Sequence, residues 1–148
     1  MNWRYGPRGL GLVGLSGRGK TRAAYMLLKQ MVSDGRKVGA TNAANFSKLC
    51  VDQFADEREY RVAAEREIQS VYHADVWLLD DLGQQRTTER VESEIYALLE
   101  YRATRKLPTI WTSNLKGEAL KATFSKKRVE AIMRRLIQSN DIATVWER

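Results

Sequence analysis

The sequence predicts a three-layer α/β domain built on a parallel sheet, and three observations carry that expectation. Short apolar runs alternate with amphipathic stretches of about a dozen residues. A glycine-rich turn, Gly14 to Thr21, joins the first apolar run to the first amphipathic stretch. A later apolar run, Val76-Trp-Leu-Leu, ends in two carboxylates, Asp80 and Asp81. Strands that alternate with helices are joined by crossovers, and a sheet paired in parallel this way needs helices on both faces.

The elements follow in order. Gly9 to Gly14, G-L-G-L-V-G, is short, apolar and glycine-bearing, which suits a buried strand better than a helix. From Lys20 to Val32, residues Ala23, Ala24, Leu27, Leu28 and Met31 fall at helical spacing, and Ser33-Asp34-Gly35 stops the helix. Arg36 to Thr41 is a second strand. Asn45 to Tyr72, rich in Ala, Glu and Arg, reads as helical, in one helix or two. Ala74 to Asp80 is the third strand, and Thr88 opens a helix with Val91, Ile95, Leu98 and Leu99 on one face. Pro108 to Ser113 is a fourth strand, a helical stretch begins at Ser125, and Ile142 to Trp146, I-A-T-V-W, is a fifth strand.

Composition bounds what such a domain does. Its 148 residues make a single domain, 1–148, without repeats or a proline-rich linker. The net charge of +7 and a pI near 9.7 favour a polyanionic partner, nucleic acid first and anionic membrane second. One cysteine, Cys50, allows no internal disulfide, and with one histidine, His73, it cannot supply a zinc site. No run approaches the ~18 apolar residues of a membrane span and the N-terminus lacks a signal core, so a cytoplasmic protein is expected.

Gly14-Leu-Ser-Gly-Arg-Gly-Lys-Thr21 matches G-x-x-x-x-G-K-[ST] in the strand-to-helix setting that the chemistry requires. Glycines let successive backbone N–H groups turn toward phosphates, and the helix N-terminus adds partial positive charge. Lys20 then reaches the β- and γ-phosphates and Thr21 coordinates Mg2+. The nucleotide-binding set is Gly14, Ser16, Gly17, Arg18, Gly19, Lys20, Thr21 and Arg22, and ATP is the expected nucleotide. Asp80 ends its strand where an acid must sit to complete the magnesium shell. Asp81 has a different projection and is the candidate general base toward water; a turn or capping acid is the alternative for either. Thr112-Ser113-Asn114 closes the fourth strand in small polar residues. Asn114 reaches the γ-phosphate side if that strand lies between the first and third, and a strand-to-loop cap is the even alternative. Packing is the expected role of Trp3 and Tyr5, with adenine stacking as the other reading.

Together, G-L-S-G-R-G-K-T, V-W-L-L-D-D-L-G and P-T-I-W-T-S-N-L resemble the AAA+ ATPases of the bacterial helicase-loader and transposition-helper group, the DnaC/IstB type, over residues 9 to 148. The resemblance implies a five-stranded P-loop NTPase sheet in the order 5-1-4-3-2, a magnesium-dependent ATPase, an inter-strand polar sensor at Asn114, and assembly into homo-oligomers on single-stranded DNA. It also implies an arginine that reaches a neighbouring subunit's ATP, and Arg135 in Arg128-Val-Glu-Ala-Ile-Met-Arg-Arg-Leu136 matches that position. Val129, Ile132, Met133, Leu136 and Ile137 form an apolar stripe that leaves Arg128 and Arg135 on a shared flank, with solvated helix charge as the alternative role. Lys121, Lys126 and Lys127 suit phosphate contacts.

The chain departs from the pattern in three ways. It begins almost at the first strand, so the segment that helicase loaders use to engage a replicative helicase is expected to be missing. It ends just after the last strand, so no helical lid or second sensor arginine is expected. Asp81 stands where most AAA+ enzymes have Glu, though the loader group commonly has Asp there. A role in DNA replication as a helicase loader is the leading expectation. The alternatives are a transposition helper partnered with a transposase, a nucleotide-gated switch with little hydrolysis, and a small-molecule P-loop kinase. A kinase would need a mobile arginine-bearing lid, and a GTPase would need an N-K-x-D guanine reader that the sequence lacks.

Overall fold

The computed structural model describes residues 3–85 and 88–144. It has five strands, β1 (Gly9–Val13), β2 (Val38–Asn42), β3 (Val76–Asp80), β4 (Thr109–Ser113) and β5 (Asn140–Thr144). Six helices complete it: α1 (Lys20–Ser33), α2 (Ala43–Asp52), α3 (Arg58–His73), α4 (Glu89–Thr104), α5 (Gly117–Lys121) and α6 (Val129–Gln138). All strand pairs are parallel and the sheet order is β2-β3-β4-β1-β5, the expected 5-1-4-3-2 read from the other edge. Among the described residues no helical lid accompanies the sheet.

The three inner strands, β1, β3 and β4, are buried along their whole length, which is why they read as continuous apolar runs. Successive side chains still serve opposite faces. Leu10, Leu12, Val76, Leu78 and Ile110 pack with Ala24, Leu28 and Met31 of α1. Val13, Trp77, Leu79 and Trp111 pack with α2, α4 and α6 through Phe46, Val91, Ile95, Leu98, Ile132 and Leu136. Gly11 makes room on that second face, since a Cβ there would come within 2.5 Å of the Trp111 ring.

Several boundaries differ from the sequence reading. Strand β2 starts two residues late: the Lys37 N–H donates to the Asp75 carboxylate instead of to β3, and its carbonyl accepts from Asp75 and from Val76, the first residue of β3. The long helical stretch is two helices, the second starting at Arg58, and the Arg61 guanidinium holds the turn between them through the Ala55 carbonyl. Strand β5 begins at Asn140, whose side chain donates to the Arg135 and Leu136 carbonyls at the end of α6. The expected strand residues Val145 and Trp146 lie outside the described residues. The short helix α5 was not anticipated, and α6 starts at Val129, four residues after Ser125. In the expected stripe on α6, Ile132, Met133 and Leu136 are buried but Ile137 is 53% exposed: it lies past the sheet-facing arc of the helix.

A single guanidinium organises the amino-terminal edge of the sheet. Arg102 on α4 is fully buried and donates to the Val71, Ala74 and Pro108 carbonyls and to Thr109 Oγ1, at 2.7 to 3.0 Å. This ties the end of α3 and the starts of β3 and β4 to one side chain. Burial lowers its pKa to about 10, so it stays charged at neutral pH.

Candidate nucleotide and magnesium site

The turn between β1 and α1 lies at the carboxyl ends of the strands, where open α/β sheets bind ligands. Gly17 and Gly19 adopt φ of 76° and 81°, a left-handed backbone that side chains oppose. Gly14 anchors the turn by donating its N–H to the Ser113 carbonyl. Ser16, Gly17, Arg18, Gly19, Thr21 and Arg22 are exposed around this cradle, and Gly14 is half-buried. Lys20 is the exception, 5% exposed, with its Nζ donating to the Leu15 carbonyl at 2.6 Å inside the turn. Burial lowers the Lys20 pKa, while Asp81 and then Asp80 oppose that shift.

The turn and the β3 acids meet directly. Thr21 Oγ1 lies 3.0 and 3.2 Å from the two Asp80 carboxylate oxygens. Asp80 is 8% exposed and sits in register with Asn42 of β2. Asp81 is half-buried, at a φ of 55°. Its carboxyl is held above the usual range, first by burial and then by Asp80, with Lys20 pulling the other way. A hydroxyl and a carboxylate are hard oxygen donors of the kind Mg2+ takes. Among the described residues there is no cluster of three or more His, Cys, Asp or Glu that could hold a metal ion.

Strand β4 lies between β1 and β3, the condition that a sensor role at Asn114 requires. Asn114 is half-buried one residue past the strand. The contacts the sequence did not disclose are made by its neighbours. Thr112 Oγ1 donates to Asp80 Oδ1 at 2.5 Å and accepts the Asp81 N–H at 2.9 Å, while Ser113 Oγ donates to the Leu82 carbonyl at 2.6 Å. T-S-N was visible as a polar strand end, but which hydroxyl faces the acids depends on the register between β3 and β4.

Arg128, just before α6, and Arg135 on it are less exposed than their shared flank suggested, whereas Arg134 is exposed. Arg128 is half-buried, bonded to Ser93 Oγ and above the Tyr96 ring. Arg135 forms an ion pair with Glu100 of α4 and adjoins Gly9, Thr109 and Asn140, the first residues of β1, β4 and β5. That is the opposite edge of the sheet from this chain's own phosphate turn. Lys127 pairs with Glu89 and Lys121 with Glu118, both at the surface. The Arg36 guanidinium stacks on Tyr5 at 3.4 Å, and Trp3 Nε1 donates to the Arg8 carbonyl, so both aromatics are engaged in packing.

A cavity of about 580 Å³ opens beside Asp80 at the carboxyl ends of β2 and β3, lined by Tyr25, Thr41, Asn42, Asn45 and Tyr60. It does not include the glycine-rich turn.

Such a turn between β1 and α1, with acids ending β3 and β4 inserted between β1 and β3, defines an AAA+ type P-loop nucleotide-binding domain. The model of the family of IstB-like ATP binding proteins matches residues 3–147, and the chain belongs to that family. Solved structures share the fold. DnaI is similar with a TM-score of 0.80 and 21% identity over 94% of this chain and 73% of that one. The DnaC helicase loader is similar with a TM-score of 0.73 and 22% identity over 98% and 82%. The replication initiator DnaA bound to AMPPCP and single-stranded DNA gives 0.77 and 16% identity, over 96% of this chain and 41% of that one. Among curated proteins, the signal recognition particle 54 kDa protein of Pyrobaculum neutrophilum is 31% identical over 103 residues. That match covers 60% of this chain and 24% of the relative's length. Among the described residues no helix is long and apolar enough to cross a membrane.

Proposed function

We propose that this ATP-binding domain hydrolyses ATP with Mg2+ and acts on DNA, as a helicase-loader-like factor in replication. The observation that carries the reading is the direct approach of Thr21 to Asp80, which sets both oxygen donors of a magnesium shell beside a phosphate-binding turn. Gly14, Ser16, Gly17, Arg18, Gly19 and Arg22 surround the phosphates and Lys20 leaves the Leu15 carbonyl to reach the β- and γ-oxygens. When bound at Thr21 and Asp80, Mg2+ neutralises charge on the phosphate oxygens. Asp81, its proton affinity raised by burial, takes the proton of the attacking water, and Asn114 orients the γ-phosphate side. Arg135 exchanges Glu100 for the nucleotide of a neighbouring copy in a homo-oligomer, a role consistent with its place away from its own turn.

The similarity to the DnaC helicase loader and to DnaA with single-stranded DNA supports DNA and a replicative helicase as partners. The net charge of +7 agrees with a polyanion. The IstB-like family match favours a second reading, a transposition helper with a transposase as its partner. An ATPase assay with and without single-stranded DNA, over a protein concentration series, tests the proposal. Stimulation by DNA that rises with concentration supports it. Turnover that needs a small-molecule acceptor and ignores DNA would replace it with a kinase.

A further inference from the structure

The geometry points to Thr112 as a positioning residue of this site: one hydroxyl sets the Asp80 carboxylate and the Asp81 backbone together. The inference rests on the reading of these acids as the magnesium-side carboxylate and the base. Thr112 is fully buried in the central strand β4, so it acts through the two aspartates and not on a ligand. Its Oγ1 accepts the Asp81 N–H at 2.9 Å and lies 2.5 Å from Asp80 Oδ1. A hydroxyl has one proton. With the Asp81 N–H on a lone pair, that proton goes to Asp80, and the bond fixes which way the carboxylate faces.

The same contact holds an unfavourable backbone. Asp81 is one of two described non-glycine residues with positive φ, and left-handed backbone costs an L-residue energy that its surroundings must offset. Thr112 supplies both restraints on the near side, Oγ1 to the Asp81 N–H and its carbonyl to the Leu82 N–H at 2.8 Å. Gln84 N–H closes the turn on the Asp81 carbonyl. Thr21 shares Asp80 Oδ1 at 3.0 Å, but Thr21 is exposed and free to turn to a cation. Thr112 keeps the carboxylate in place when it does. Ser113 provides a contrast on the same strand, since its hydroxyl bonds only backbone, the Leu82 carbonyl and the Leu115 N–H.

Thr112→Val keeps the shape and removes the hydroxyl, and Thr112→Ser restores it. The expected result for T112V is a kcat lower by roughly 10- to 100-fold, as for other residues that orient metal ligands, with KM for ATP little changed. The Mg2+ concentration that half-saturates binding of a fluorescent ATP analogue should rise about tenfold, and T112S should restore both readouts. Ser113→Ala should lower the melting temperature and leave the Mg2+ titration unmoved. Wild-type kcat and Mg2+ titration in T112V would overturn the inference, as would a T112S variant as impaired as T112V. If T112V does not fold, Thr112→Cys, with its weak donor, replaces it with the same direction expected. If the wild type shows no turnover, the hydrolytic reading fails, and the analogue titration alone decides Thr112: shifted in T112V and restored in T112S supports it, unshifted overturns it.

Discussion

The two ends of the central strands bury charge in opposite ways. At the amino-terminal edge, Arg102 spends its donors on three backbone carbonyls and a hydroxyl, with no acid in contact. At the carboxyl-terminal edge, Asp80 and Asp81 stand side by side, and among the described residues the Thr21 and Thr112 hydroxyls and Lys20 offset them. The first arrangement is closed and can only hold the fold. The second has acceptor capacity left over and adjoins an exposed turn, which is what a ligand site needs. Satisfied buried polar groups rigidify, whereas unevenly compensated ones cost stability and mark function.

The largest test of this contrast is Asp81→Asn. Turnover should fall by about 10²- to 10⁴-fold, the usual contribution of a general base, with ATP binding retained. Asn tolerates the left-handed backbone that position 81 requires, so the turn should survive. Unchanged turnover in D81N would remove Asp81 as the base. Stability should move the other way. Because the Asp81 carboxyl is raised, the folded protein binds more protons than the unfolded chain between the ordinary and raised values, and stability falls as pH increases through that window. D81N should therefore melt above the wild type at neutral pH and show a flatter dependence of melting temperature on pH.

Arg102→Met addresses the closed edge. Four acceptors lose their donor, which should cost about 3 kcal/mol and lower the melting temperature by about 10 °C. Turnover per folded molecule should hold, and a site-specific loss of activity would show that the two edges are coupled. Lys20→Ala should weaken ATP binding about 100-fold or more, the loss of a charge-assisted bond to phosphate, seen by analogue fluorescence. Arg135→Ala should lower activity only at concentrations where copies assemble. A specific activity independent of concentration, in wild type and variant alike, would sink its action across an interface.

Much of this was legible in residue order because the signals are local. The G-x-x-x-x-G-K-T turn, the α4 cap at Thr88 and the buried set Val91, Ile95, Leu98 and Leu99 need only neighbours in sequence to be read. The break between α2 and α3 was not, because residues 53–57 carry no glycine or proline and the turn is held by a side chain from the next helix. Nor did helical spacing on α6 show that Arg135 would be paired, since Glu100 belongs to another helix.

By itself the sequence determined the fold class, the family resemblance and the residue types at the nucleotide site, all properties of period, spacing and chemistry along one stretch of chain. Only the tertiary structure decided which groups meet. Thr112 rather than its neighbours touches both acids because β4 pairs with β3 in one register, and a shift of one residue would turn that hydroxyl to the other face. Nothing local in the sequence singles out Arg102, and it is the core of the opposite edge because the Val71 and Ala74 carbonyls, about thirty residues away, converge on it with the nearby Pro108 carbonyl. Contacts between segments far apart in sequence are set by packing, and packing leaves no periodic trace for a local reading to find.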